Sequence, residues 1–147
     1  LILLLTITVS VPAHVRYTIS RLQNRRFAGA AEYAALRFTT RQPGRVAFES
    51  ADEYTSLFTG HRGYAASDLF PDDAPPAVRW TALRRADIRL VVTTDTATSP
   101  YVFIRNPSQA GQAEEQYRAT TPPGGRHHAT YIVYRLPPTS YAPAHGP

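Results

Sequence analysis

Apolar residues in this chain come in short runs, rich in β-branched and aromatic side chains, and almost every run stops at a turn-forming residue. That punctuation constrains the fold more than any other feature. Short β-branched runs bounded by Gly, Pro, Asn or Asp read as strands. Residues 3–11, 15–19, 34–40, 45–49, 78–83, 88–94, 101–105 and 130–136 fit the description, about eight candidates in all. Pro12 separates the first two, and Gln42-Pro43-Gly44 has the chemistry for reversing the chain between the third and fourth. The pattern predicts an all-β fold, an antiparallel two-sheet sandwich of jelly-roll type with one or two short helices. Residues 1–136 would form one domain, and 137–147 an extended tail.

Two segments carry helical grammar instead. Ser50-Ala51-Asp52-Glu53 matches a capping box, in which the serine hydroxyl and the glutamate each satisfy an early backbone donor. That helix would run to about Phe58 and stop at Gly60. Residues 27–38 are ambiguous: Phe27, Ala30, Ala31, Ala35 and Phe38 have helical spacing, while Tyr33, Leu36 and Phe38 suit the end of a strand. Residues 72–76 and 106–125 read as polar connections, the second long enough to carry contacts or function.

The N-terminal stretch allows two readings. Leu1 to Val11 is apolar enough to be the end of a secretion signal, with Val11-Pro12-Ala13 as a cleavage-like site. Against that, Thr6, Thr8 and Ser10 alternate with Ile7, Val9 and Val11, a period of two that belongs to strands. The strand reading is favoured. The stretch is too short to span a bilayer, so no membrane span is expected. A chain without methionine, initiator included, reads as a processed product or a fragment.

The catalytic inventory is thin. Without cysteine there is neither a disulfide framework nor a thiolate metal site. His14, His61, His127, His128 and His145 show no zinc-ligand spacing. Ser67, His61 and Asp68 hold the residue types of a nucleophilic triad, but no Gly-x-Ser-x-Gly elbow accompanies them. Adjacent acids Asp72-Asp73 and Glu114-Glu115 read as solvated loop pairs, with calcium at a subunit contact as the alternative role for Asp72-Asp73. The expectation is no enzyme and no cofactor. The basic residues number sixteen and are all arginine, giving a formal charge of +5. Arginine's planar fork suits phosphate and carboxylate. With nine tyrosines beside them, the arginines supply the residue types enriched at the centres of interfaces. Tyr131 and Tyr134 fall on opposite faces of one strand.

Three stretches in order add a resemblance. They are Glu32-Tyr33-Ala34-Ala35-Leu36-Arg37-Phe38 followed by Gly44-Arg45-Val46-Ala47-Phe48; residues 54–57 followed by Arg62-Gly63-Tyr64; and Thr130-Tyr131-Ile132-Val133-Tyr134 leading to Pro137-Pro138-Thr139. Together they resemble the jelly-roll shell domain of small icosahedral RNA-virus coat proteins of the sobemovirus, tombusvirus and satellite type. The arginine-rich arm and the acidic calcium-ligand pattern of those coats are not matched. The resemblance implies a self-assembling structural shell protein of virions, with copies of itself and RNA as partners. Phosphate contacts would then fall to Arg21, Arg25 and Arg26, without base readout. Two other expectations stand beside it: a secreted β-sandwich binding module that holds carbohydrate or protein ligands through exposed aromatics, and a small hydrolase or nuclease-type toxin using His61 or His127-His128.

Overall fold

The computed structural model describes residues 29–50, 58–59, 62–106, 112–121 and 129–138. Among them the helices are α1 (Ala30–Thr40), α2 (Ala66–Leu69) and α3 (Pro76–Arg85), with a 3₁₀ turn over Val102–Arg105. The strands are β1 (Arg45–Phe48), β2 (Gly63–Ala65), β3 (Ile88–Thr94), β4 (Glu114–Thr120) and β5 (Thr130–Arg135). They form one mixed sheet in the order β2-β1-β3-β5-β4. β1 is parallel to both β2 and β3, while β5 is antiparallel to β3 and β4.

The expected antiparallel two-sheet sandwich is therefore wrong: the fold is α/β, one sheet between helical layers. Runs at 45–49, 88–94 and 130–136 are strands, as expected. The runs at 34–40 and 78–83 are helical. In α1 the buried residues Ala31, Ala35, Leu36 and Thr39 recur at helical spacing, and the sheet supplies the face they bury against. Its β-branched end tolerates the helix because Thr39 and Thr40 hydroxyls donate to the Leu36 and Arg37 carbonyls, at 2.7 and 2.8 Å. In α3, Pro76 sits in the first turn, where its missing N–H costs nothing, and Trp80 and Leu83 turn inward one helical step apart. Val78, at the start of that run, is left exposed. Residues 101–105 are mostly the 3₁₀ turn, and β4 emerges from within the expected long polar loop. Residues 3–11, 15–19, Phe27 and most of the Ser50-to-Phe58 capping-box segment lie outside the described residues, though Phe58 and Thr59 are helical.

Gln42-Pro43-Gly44 does turn the chain, but it joins a helix to a strand. Gly44 has φ +103°, and a Cβ there would come within 2.5 Å of the Arg89 side chain. At the other edge, a Cβ on Gly63 would meet Thr59 Oγ1 at 2.0 Å and Phe48 Cε1 at 2.7 Å. Glycine there lets the segment before β2 lie directly on the sheet.

Two cores result. On one face, Ala35 and Leu36 of α1 pack with Val46, Phe48, Leu90, Val92 and Val133, and Phe58, Tyr117 and Tyr131 lean on the cluster. On the other, Trp80 and Leu83 of α3 join Tyr101, Phe103 and Ile104 over Ala47, Val91, Ile132 and Tyr134. The alternation along β5 places Tyr131 and Tyr134 on opposite faces, as the sequence indicated. β3, buried on both sides for most of its length, reads as an unbroken apolar run for that reason.

Candidate functional site

In the order β2-β1-β3 the middle strand comes first in the chain, so the chain leaves β1 for one side and then crosses back to the other. Phe58, which follows β1 in the chain, packs on the α1 face. The segments after β2 and β3, carrying Phe70, Trp80, Tyr101 and Phe103, cover the opposite face. The carboxyl end of neighbouring strands whose continuations diverge is the place where open α/β sheets bind ligands. Glu49, the residue directly after β1, stands there.

Its carboxylate is tightly fixed. Oε1 accepts from the Thr94 amide at 2.6 Å, and the hydroxyls of Thr94, Thr93 and Ser99 reach the same oxygen at 2.8, 2.9 and 2.7 Å. Thr93 and Ser99 hydroxyls are also 2.6 Å apart, so one can donate to the carboxylate while accepting from the other. Among the described residues, every donor on Glu49 reaches Oε1. Thr93 and Ser99 are buried and Glu49 is half-buried. A carboxylate at the end of an apolar strand is affordable only with such donors.

A cleft of about 530 Å³ opens beside this carboxylate, walled by Glu49, Ser67, Asp72, Arg79, Thr98 and Ser99. Arg79 braces it. Nε donates to the Ala74 carbonyl at 2.7 Å, Nη1 to Pro100 at 2.5 Å and Nη2 to Asp72 at 2.6 Å. The same guanidinium lies 5.3 Å from the centre of the Phe70 ring and 6.0 Å from that of Phe103. One side chain thus ties α3 to the loops after α2 and β3.

Beneath the cleft, Tyr101 is wholly buried, edge-on to Phe70 at 5.7 Å, and its hydroxyl donates to the Phe48 carbonyl at 3.3 Å. Burial first, and then the Glu49 and Asp68 carboxylates, push this phenol far above the ordinary tyrosine value; Arg79 opposes them.

Several residues singled out in the sequence take other places. Arg21, Arg25, Arg26 and all five histidines lie outside the described residues. Ser67 is exposed on the cleft wall, but Asp68 Oδ2 accepts from the Ala65 amide at 2.9 Å and so caps α2. Asp72 and Asp73 are exposed, and among the described residues no group of three or more acidic or histidine side chains could hold a metal ion. Glu114 and Glu115 belong to β4, not to a loop. Sequence reasoning missed Glu49. The available signal was a lone acid closing an apolar strand, with a hydroxyl run at Thr93, Thr94, Thr96, Thr98 and Ser99 after another. Among the described residues no helix is long and apolar enough to cross a membrane. No protein-family model matches the chain, and no curated protein or solved structure shows significant similarity to it.

Proposed function

We propose that this chain is a binding domain, without a catalytic step of its own, that holds a polyhydroxylated ligand of the carbohydrate class in the Glu49 cleft. The observation that carries the reading is the position of Glu49: a carboxylate locked in place at the carboxyl end of β1, beside a polar cleft. Sugar hydroxyls both donate and accept. Glu49 and Asp72 offer acceptors, and Ser67 and Thr98 offer hydroxyls of either sense. Fixed polar groups in a concave site orient such a ligand at little entropic cost. The hydroxyls bonded to Glu49 serve to aim it, and Ser99, at 4% exposure, is itself withdrawn from solvent.

The shell-forming reading rested on a two-layer sandwich, and a single mixed sheet removes that premise. The binding-module expectation was likewise tied to a β-sandwich, with exposed aromatics as its contacts; the present proposal keeps only its carbohydrate ligand class and rests it on the polar cleft.

A glycan array probed with the full chain, followed by calorimetry on the best glycan, tests the proposal. Ser67→Tyr fills the cleft from an exposed position and should abolish binding without lowering the melting temperature. Glu49→Gln should weaken binding by about tenfold or more, the loss of one charged hydrogen bond. No glycan bound, or binding unchanged in Ser67→Tyr, overturns the reading.

A further inference from the structure

The opposite side of the molecule carries a groove that the cleft does not explain. Helical spacing i, i+3, i+4, i+7 puts Ala34, Arg37, Phe38 and Arg41 on one stripe of α1, away from its buried face. That stripe overlooks Tyr117 of β4, and with Tyr33 these residues line a groove of about 370 Å³. Phe38 and Tyr117 stack across it, rings 4.9 Å apart and 11° from parallel. Both rings and Tyr33 are half-buried, while Arg37 and Arg41 are exposed. Among the described residues neither arginine has an acidic partner, and no acid lines the groove.

We infer that this groove binds single-stranded nucleic acid, with a base stacked on the Tyr33/Phe38/Tyr117 wall and phosphates on Arg37 and Arg41. Two guanidinium forks one helical turn apart, above a bank of aromatic rings, provide the two things a single strand offers contacts to: flat bases and a charged backbone. An acidic peptide or bare polyphosphate would engage the arginines and leave the rings idle. With the two guanidiniums on phosphates and the bases held by stacking, which every base face allows, binding is sequence-tolerant. The net charge of +5 assists encounter. This site is independent of the Glu49 cleft, on the other face of the sheet.

Fluorescence anisotropy with labelled 12-nucleotide oligo(dT) and oligo(U) tests it, using the full chain. Two phosphate contacts predict a slope of log affinity against log salt of about −1.4. The exposed double substitution Arg37→Gln, Arg41→Gln should weaken binding at least tenfold and flatten that slope. Tyr117→Leu, which keeps apolar volume but removes the π face, should cost roughly five- to hundredfold at an unchanged slope. Ser67→Tyr should change nothing. No binding, binding indifferent to the arginine pair, or polyphosphate competing equally well with Tyr117→Leu silent would each overturn the inference.

Discussion

β1 and β3 carry apolar side chains into cores on both faces, and β2, β1 and β3 all run parallel, so their connections must cross the sheet as covering segments. β4, at the far edge, carries Glu114, Glu115 and Arg118 and is largely open to water. The parallel half is held by side-chain contacts to the backbone and loops: Arg79 to three carbonyls, and Glu49 to four donors on β3 and the loop after it. The antiparallel half is held by its ladder with β5, by Tyr117 stacked on Phe38 of α1, and by surface ion pairs. The difference shows where precision is built in. A parallel strand end needs its diverging loops pinned by buried polar contacts, and those pins leave a fixed site. The edge strand is held by register, one packed ring and charge.

Breaking the parallel half at its brace should have the largest effect. Arg79→Ala removes three charge-assisted bonds, two of them part-buried, and should lower stability by about 2–3 kcal/mol. Arg79→Lys should recover only part of this, since an ammonium cannot span three carbonyls with a fixed planar fork. Urea denaturation of both variants checks the ordering. Equal stability of Arg79→Ala and the parent would show that the loops after α2 and β3 are held by packing alone.

The next effect lies below the cleft. Tyr101→Phe deletes one buried hydrogen bond, to the Phe48 carbonyl, and should cost about 1 kcal/mol near neutral pH. Its pH dependence is more telling. The folded-state value of Tyr101 is raised, so the stability tied to its neutral phenol is complete below the unfolded value of about 10 and is lost as pH rises beyond it. The parent should therefore weaken above about pH 10 more steeply than Tyr101→Phe. Parallel alkaline titration curves for the two would sink that account.

The same contrast governs what the sequence revealed. β1, β3 and β5 were legible because central strands bury consecutive apolar residues, whatever their neighbours. α1 and α3 were read mostly as strands because Val78, Trp80 and Ala82 alternate, as do Leu36 and Phe38. Only the sheet decides that Trp80 and Leu83 share a face. β4 was unreadable, since an edge strand with Glu114, Glu115 and Gln116 has no apolar period, and β5 alone makes it a strand. Glu49 went unnoticed for a related reason. Its donors lie 44 to 50 residues away, joined to it by the parallel pairing of β1 with β3.

The smallest effect belongs to β4. Arg118 donates to Glu115 from Nε and Nη2 at 2.9 and 2.8 Å, and its Nη1 reaches Asp95 at 3.3 Å, with Asp95 also paired to Arg105. The hydrogen bonds from Arg118, and then its charge, hold the Glu115 carboxyl below the usual carboxylate range, against burial and the Asp95 carboxylate. A lowered folded-state value means stability present above the unfolded value, near 4.3, and lost as pH falls through the folded one. Both side chains are well exposed, at 39% and 44%, so screening by water limits the gain. Glu115→Gln should cost no more than about 0.5 kcal/mol at pH 7. The difference from the parent should shrink in high salt and close as the pH is taken well below 4. A larger, salt-independent loss would mean that β4 is anchored by Glu115 itself, and that the two halves of the sheet are pinned by the same kind of contact.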